Sequence, residues 1–97
     1  MESEHTSKNT INAAKPFDMF ILSEAIVDEI RKHQASPHRH NYEELLIITK
    51  GKPSHFIDFM EEETPSPVVI YVPQGKIHEF KPDLQTRGWC IRYSNEF

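Results

Sequence analysis

The stretch PHRHNYEELLIITKG, residues 37–51, holds the pattern on which the fold prediction rests. It contains His38, His40 and Glu44 in the arrangement H-x-H-x3-E, followed by a run of aliphatic and β-branched residues. Such a run is typical of a strand, and side chains on a strand point alternately to its two faces. The two histidines and the glutamate therefore share one face with the aliphatic side chains at alternate positions further on. We expect that face to line a small barrel that is polar at its mouth and apolar at its base.

A second block, Pro73–His78, has the pattern P-x-G-x-x-H. Pro73 fixes one backbone angle and Gly75 tolerates a positive φ, so this block predicts a turn that swings His78 toward the first block. The candidate metal ligands from both blocks are three imidazoles and one carboxylate, those of His38, His40, Glu44 and His78. Around an open coordination position, such a set suits Fe(II), Mn(II), Ni(II) or Zn(II).

The same four side chains also fit a polar cluster without metal, in which they hydrogen-bond to one another inside the barrel mouth. Both interpretations stay open at this point. Trp89 joins them as a candidate for the ligand-binding pocket, because an indole can stack on a sugar or an aromatic effector. Packing in the core is its alternative role. His55, beside Phe56, is interpreted as a surface or pocket-rim residue.

Outside these blocks, short apolar segments alternate with turn-forming residues. Strands are predicted near residues 17–22, 39–49, 54–60, 68–72, 77–80 and 88–94. Lys50–Pro53 predicts a hairpin between the second and third of these. Ser23 indicates either the N-cap of a short helix or a strand and loop, and residues 61–67 read as a charged loop. Strands at roughly 8–12-residue spacing indicate an all-β fold of short antiparallel strands, and about six of them predict an incomplete barrel.

The length of 97 residues allows one domain. Residues 1–15 are polar and unpatterned, which predicts a flexible N-terminal arm, and residues 16–97 are predicted to form the β-barrel domain. The net charge is −4 and the basic residues form no stripe, so we expect neither direct nucleic acid contact nor membrane association. Cys90 is the only cysteine, which favours a cytoplasmic location.

The two histidine-bearing blocks resemble the two conserved motifs of the cupin superfamily. The first matches over residues 38–51 and the second over residues 73–78. Three scaffold positions depart from the motifs, where cupins usually have two glycines and an asparagine: Lys32, Pro67 and Pro82. The resemblance implies a cupin-like jelly-roll barrel in which the four candidate ligands line the pocket.

From about residue 17 to residue 97 the chain resembles the N-terminal domain of AraC-type transcription regulators. The phrases that carry the resemblance are PHRHNYEELLIITKG, HFIDF, YVPQGKIHEF and GWCIRYSNEF. It implies an effector-sensing and dimerisation domain without enzyme activity, which binds a small molecule such as a sugar or an aromatic acid. It also implies a parent protein that forms a homodimer, largely through helices that follow the barrel, and that binds DNA through helix-turn-helix units absent from these residues.

Two alternatives remain. One is a small stand-alone metal-dependent cupin enzyme, such as a dioxygenase or an isomerase, whose metal keeps open positions for substrate. The other is a cupin that acts only as an oligomerisation module.

Overall fold

The structure, a computed structural model, describes residues 17–33 and 37–94. The predicted N-terminal arm, residues 1–15, lies outside the described residues. The described elements are β1 (Phe17–Leu22), α1 (Glu24–Lys32), β2 (Glu43–Lys50), β3 (Ser54–Ile57), β4 (Met60–Glu63), β5 (Val68–Val72), β6 (His78–Lys81) and β7 (Arg87–Tyr93). Strands dominate, so the predicted all-β class is confirmed, and the sequence prediction missed only β4 among these strands.

The described strands form two antiparallel sheets that do not close into one barrel. The first has the order β1-β7-β2-β5 and the second the order β4-β3-β6. β1 pairs with β7 along its whole length, with Phe17 opposite Tyr93, so strands from the two ends of the described chain lie side by side. The prediction of an incomplete barrel is therefore confirmed.

The predicted hairpin between the second and third strands is wrong. β2 pairs with β5 and β7, whereas β3 pairs with β4 and β6 in the other sheet. The turn between β2 and β3 carries Gly51 at φ 95°, and a Cβ there would lie 2.7 Å from the backbone of Thr86. Glycine is thus required by the backbone angle and by the close approach. The turn residues predict a reversal of the chain, but they do not select which strand pairs with which.

A hairpin instead joins β3 to β4 through Asp58 and Phe59. Ile57 pairs with Met60, so the loop has two residues, and their φ values of 55° and 63° are those of a type I′ turn. The sequence prediction placed the acidic run, Glu61–Glu63, in a loop. In the structure this run forms a strand at the edge of its sheet with every side chain exposed, and charged edges of this kind discourage pairing with other chains.

The helical alternative for the segment after Ser23 is confirmed. The Ser23 Oγ accepts a hydrogen bond from the backbone N–H of Ile26 at 3.2 Å, which satisfies one donor of the first turn. Val27 is buried and belongs to the hydrophobic core together with Leu22. Among the described residues, no helix is long and apolar enough to cross a membrane.

The two faces of the four-stranded sheet differ in burial. The inner face, which contributes to the core together with Val27 and Phe80, carries Leu22, Leu46, Ile48, Ile70, Val72 and Cys90. The outer face carries two rows of side chains that run across all four strands, Met19–Ile91–Leu45–Tyr71 and Ile21–Trp89–Ile47–Val69. Several outer-face side chains are half exposed or more, so this face is apolar and open to solvent.

Candidate ligand-binding site

A backbone bridge brings His38 and His78 together. The His38 N–H donates to the His78 carbonyl at 2.9 Å, and the His78 N–H donates to the His38 carbonyl at 2.7 Å. β2 begins only at Glu43, so His38 and His40 precede the strand. Their predicted position on the same strand as Glu44 is therefore wrong, because the bridge and not strand alternation places them.

The turn predicted for the second block positions His78. Gly75 has φ 86°, a conformation that glycine adopts without strain. Its N–H donates to the His40 carbonyl at 3.0 Å, and the Lys76 N–H donates to the Pro73 carbonyl at 3.2 Å. The turn thus ties the second block to the backbone of the first.

We define the histidine cluster as His38, His40 and His78, whose ring nitrogens lie within 4.8 Å of one another. The Nε2 atoms of His40 and His78 are 2.8 Å apart, at hydrogen-bond distance. The ring of Tyr42 stacks on that of His40 at a centroid distance of 4.4 Å and holds it in place. His40 and His78 are buried and His38 is half-buried, so the cluster lies below the protein surface with one member reaching toward it.

Glu44 completes the group of four predicted residues. Its Oε1 lies 3.7 Å from the Nε2 atoms of both His40 and His78. Its Oε2 accepts hydrogen bonds from Arg92 Nε at 2.9 Å and from the Cys90 thiol at 3.3 Å. The carboxylate therefore faces the histidine cluster with one oxygen and pairs with the half-buried Arg92 guanidinium through the other.

Arg92 is a site residue that the sequence analysis missed. Its guanidinium lies 4.9 Å from the ring centroid of Phe20 and 5.2 Å from that of Tyr42, so two aromatic faces hold it. It lies directly opposite Glu44 in the pairing of β7 with β2. Alternation along β7 could have placed Arg92 on the same face as Cys90, but only the strand pairing supplies its acidic partner.

His55 is the second residue that was missed. The prediction of a surface or rim position is wrong, since the residue is 3% exposed. β3 pairs with β6 so that His55 lies opposite Phe80. The His55 Nε2 lies 2.9 Å from the Nδ1 of His78, on the side of that ring away from His40. The sequence of β3 alone does not predict that His55 is buried, because its burial depends on which sheet covers that face.

Burial favours the neutral form of two of the histidine rings, His78 and His55. Burial lowers the pKa of His78 to about 3, against a weaker opposing effect of the Glu44 carboxylate. Burial also lowers the pKa of His55. A neutral imidazole keeps one nitrogen lone pair, which can accept a hydrogen bond or bind a metal. Burial raises the pKa of the Cys90 thiol, so Cys90 stays protonated as a buried, unreactive group, as the sequence analysis assumed.

Trp89 does not lie with the histidine cluster, and its predicted place in the pocket is wrong. It follows Gly88 and precedes Cys90 on β7, and adjacent strand positions point to opposite faces. Cys90 is 1% exposed on the inner face, whereas Trp89 is 40% exposed on the outer face. The alternative of a core role is also not observed.

The donor set of the histidine cluster suits a divalent ion with a small adjustment. Ligand nitrogens about 2.0–2.1 Å from one ion lie at most about 4.2 Å apart. The three ring nitrogens span up to 4.8 Å, so at least one imidazole has to rotate for all three to bind the same ion. Glu44 Oε1 faces two of these rings and could serve as a fourth ligand.

Solved structures similar to this chain are cupin barrels at low sequence identity. A Cupin 2 conserved barrel domain protein from Salinispora arenicola has 17% identity and a TM-score of 0.55, covering 89% of this chain and 68% of that one. An RmlC-like cupin with a double-stranded β-helix fold from Methanocaldococcus jannaschii has 18% identity and a TM-score of 0.56, covering 80% and 68%. These likenesses establish the fold.

A further similar structure is an ethanolamine utilization protein Q from Salmonella typhimurium, with 19% identity and a TM-score of 0.51. The match covers 59% of this chain and 46% of that one, so the chain spans about half the length of that protein. No curated protein matches the chain. The family model of the AraC-like ligand binding domain matches residues 20–95. The chain therefore belongs to the AraC-like ligand binding domain family of the cupin superfamily.

Proposed function

We propose that this domain senses a small-molecule effector, which binds at the histidine cluster and controls DNA binding by helix-turn-helix units that are not among these 97 residues. One observation carries the proposal. Buried and half-buried polar side chains from four strands and from the segment before β2 converge on one point in a member of a ligand-binding family. We place the domain in the cytoplasm, where a single cysteine stays reduced.

The chemistry of the site favours a ligand with hydroxyl or carboxylate groups. Buried polar groups are costly, and a small domain has little stability to spare for them. A neutral imidazole has one N–H donor and one acceptor nitrogen, and a sugar hydroxyl can pair with either. The Arg92 guanidinium has the planar shape that pairs with a carboxylate, as an aromatic acid would supply. A sugar or an aromatic acid therefore fits this set.

For a sensor to respond, the effector must bind one of its two conformational states more tightly than the other. We propose that the effector shifts either residues 1–15 or the contact between two subunits. Both changes would alter the position of attached DNA-binding units without requiring chemistry at the site, which is why we favour a sensor over an enzyme.

The binding test is a panel of sugars and aromatic acids added to the purified domain, with thermal unfolding and calorimetry as readouts. A ligand at 100 times its Kd stabilises the native state by about 2.7 kcal/mol. His38→Gln, at the half-buried member of the histidine cluster, should weaken binding. The matched control His33→Gln lies at the exposed end of α1 and should bind like the unchanged domain. An absence of saturable binding across the whole panel would contradict the proposal.

The three imidazoles favour one second candidate, the metal-dependent cupin enzyme of the dioxygenase or isomerase type. In that case His38, His40, Glu44 and His78 hold a divalent ion that polarises an oxygen-bearing substrate. Elemental analysis after purification with added Fe(II), Mn(II), Ni(II) or Zn(II) separates the candidates. The enzyme requires one ion per chain, so less than a tenth of an ion per chain rules it out and leaves the sensor.

We further propose that a second copy of the chain covers the outer face. The exposed fractions there run from 39% to 61% for Phe17, Met19, Ile21, Val69, Tyr71 and Trp89. At roughly 200 Å² for each large side chain, these six expose about 600 Å² of apolar surface. That is at the upper end for a typical monomer and approaches the roughly 800 Å² that each partner buries in a stable interface.

The absence of charge from the two central rows of the outer face favours a copy of itself over a charged partner. Two apolar sheets can pack face to face about 10 Å apart. Light scattering coupled to gel filtration should therefore give twice the chain mass at micromolar concentration. A single chain mass at every concentration would contradict this contact.

A further inference from the structure

His55 lies outside both histidine-bearing blocks, yet it contacts the histidine cluster directly. It is on β3, diagonally across from His78 on β6, because Ile57 is the direct partner of His78 and Phe80 is the direct partner of His55. Diagonal neighbours on one face of an antiparallel pair are within reach of long or aromatic side chains. The strand register therefore fixes the approach of these two rings.

The contact has the geometry of a hydrogen bond between ring nitrogens. The distance from His55 Nε2 to His78 Nδ1 is 2.9 Å, and the rings are tilted by 66° with centroids 5.1 Å apart, so they do not stack. The ring of Phe80 meets His55 edge to face at a centroid distance of 6.4 Å and limits its movement. Both histidines are almost fully buried, so water does not compete for this bond.

A neutral imidazole has one N–H donor and one lone pair, and both nitrogens of His78 have a histidine partner. Two proton arrangements are consistent with the distances. In one, His78 Nδ1–H donates to His55 and its Nε2 offers a lone pair to the histidine cluster. In the other, His55 Nε2–H donates to His78, and the Nε2 of His78 carries the proton. Only the first leaves His78 Nε2 able to bind a metal ion or accept from a hydroxyl.

We propose that His55 is a positioning residue, which accepts the Nδ1 proton of His78 and so turns the lone pair of His78 Nε2 toward the ligand. The inference rests on the proposed function of the histidine cluster as a binding site. It adds a residue that neither histidine-bearing block contains. Partners of this kind fix the tautomer and the orientation of a liganding histidine.

Nuclear magnetic resonance on the ¹⁵N-labelled, unchanged domain tests the proton position directly. A coupling across the hydrogen bond should connect His55 Nε2 with His78 Nδ1, and the one-bond proton coupling should fall on His78 Nδ1. This result is expected without metal and with Zn²⁺ added as the probe. A proton on His55 Nε2, or the absence of any coupling between the two rings, would overturn the proposal.

Two substitutions give an independent readout. His55→Phe keeps an aromatic ring but removes the acceptor, and it should lower Zn²⁺ affinity by about 10–100-fold and move the His78 proton to Nε2. His55→Gln keeps an acceptor near the position of Nε2, and it should retain both the affinity and the tautomer. Equal Zn²⁺ affinity and an unchanged tautomer in a folded His55→Phe domain would overturn the proposal.

The outcomes separate this inference from the proposed function. If the unchanged domain binds neither Zn²⁺ nor any effector, the function assigned to the histidine cluster fails. The proton position in the free domain still decides the role of His55, and it does so even if His55→Phe does not fold.

Discussion

The inner and outer faces of the four-stranded sheet each carry some groups that are unusual for their side. Toward one end of the sheet, the inner face buries the carboxylate of Glu44, which faces the histidine cluster and pairs with the half-buried guanidinium of Arg92. The outer face exposes Trp89 and Val69 to solvent. Stability alone would favour the opposite arrangement, because buried charges and exposed apolar patches are both unfavourable. This comparison is the basis for our proposals that the inner face binds a small molecule and that the outer face binds a second copy of the chain.

The largest effect is expected from breaking the ion pair on the inner face. Arg92→Leu leaves the Glu44 carboxylate buried without its guanidinium, which should lower the free energy of unfolding by about 3–5 kcal/mol. Urea denaturation at pH 7 measures it. The double variant Glu44→Leu with Arg92→Leu should recover most of the loss, because no unpaired charge remains. Equal losses in the single and double variants would mean that lost packing, and not an unpaired buried charge, lowers the free energy of unfolding.

The same substitution at two neighbouring leucines of β2 compares how much each face contributes to the free energy of unfolding. Leu46 is 3% exposed on the inner face, and Leu46→Ala should lower the free energy of unfolding by about 2–5 kcal/mol because it opens a cavity. Leu45 is half-buried on the outer face, and Leu45→Ala should cost about 1 kcal/mol in the monomer. Equal costs in chemical denaturation at low protein concentration would show that something covers the outer face even in a single chain.

The dependence of stability on pH should come from the buried side of the four-stranded sheet, because the histidines with lowered pKa values, His78 and His55, are buried there. His78 has a pKa of about 3 in the folded chain against 6.5 when unfolded, so the unfolded chain binds more protons between those values. The free energy of unfolding should therefore fall by about 1.4 kcal/mol for each pH unit below 6.5, or by about 2 kcal/mol at pH 5. The lowered pKa of His55 acts in the same direction.

Urea midpoints from pH 7.5 to pH 5 check this prediction. His78→Gln should flatten the dependence, because it removes the group with the lowered pKa. A midpoint that stays constant down to pH 5 in the unchanged domain would show that the histidine cluster is charged or open to water.

The smallest effect on stability is expected from the outer face. Ile21→Thr together with Val69→Thr, at side chains that are 54% and 61% exposed, should change the free energy of unfolding of the monomer by about 0.5 kcal/mol per site or less. The same double variant should remove self-association, because both side chains lie in one row of the proposed contact. Analytical ultracentrifugation measures the change. Dimers of unchanged affinity would place the subunit contact elsewhere.

Much of the local structure could be predicted from the sequence. The strand at residues 17–22 agrees with the structure at both ends, and the N-cap at Ser23 was one of two stated alternatives. Gly51 and Gly75 were assigned to turns, and both have positive φ. These predictions succeeded because side-chain alternation, capping and turn geometry depend on a few neighbouring residues.

The composition of the site was only partly predictable. The approach of residues 38–44 to His78 was expected from the two histidine-bearing blocks. His55 and Arg92 were missed, since each acquires its role from a partner on another strand, His78 and Glu44 respectively. Trp89 was misplaced because an aromatic residue in a short strand can face either side, and the register of the sheet decides which.

The sequence by itself determined the strand-rich class, the positions of the turns and the two histidine-bearing blocks, because each follows from chemistry over a few consecutive residues. Only the tertiary structure decided that β2 and β3 belong to different sheets, that Arg92 pairs with Glu44, and that His55 contacts His78. Those facts depend on strand pairing between residues far apart in the chain, and pairing is set by the packing of the whole core rather than by any local pattern.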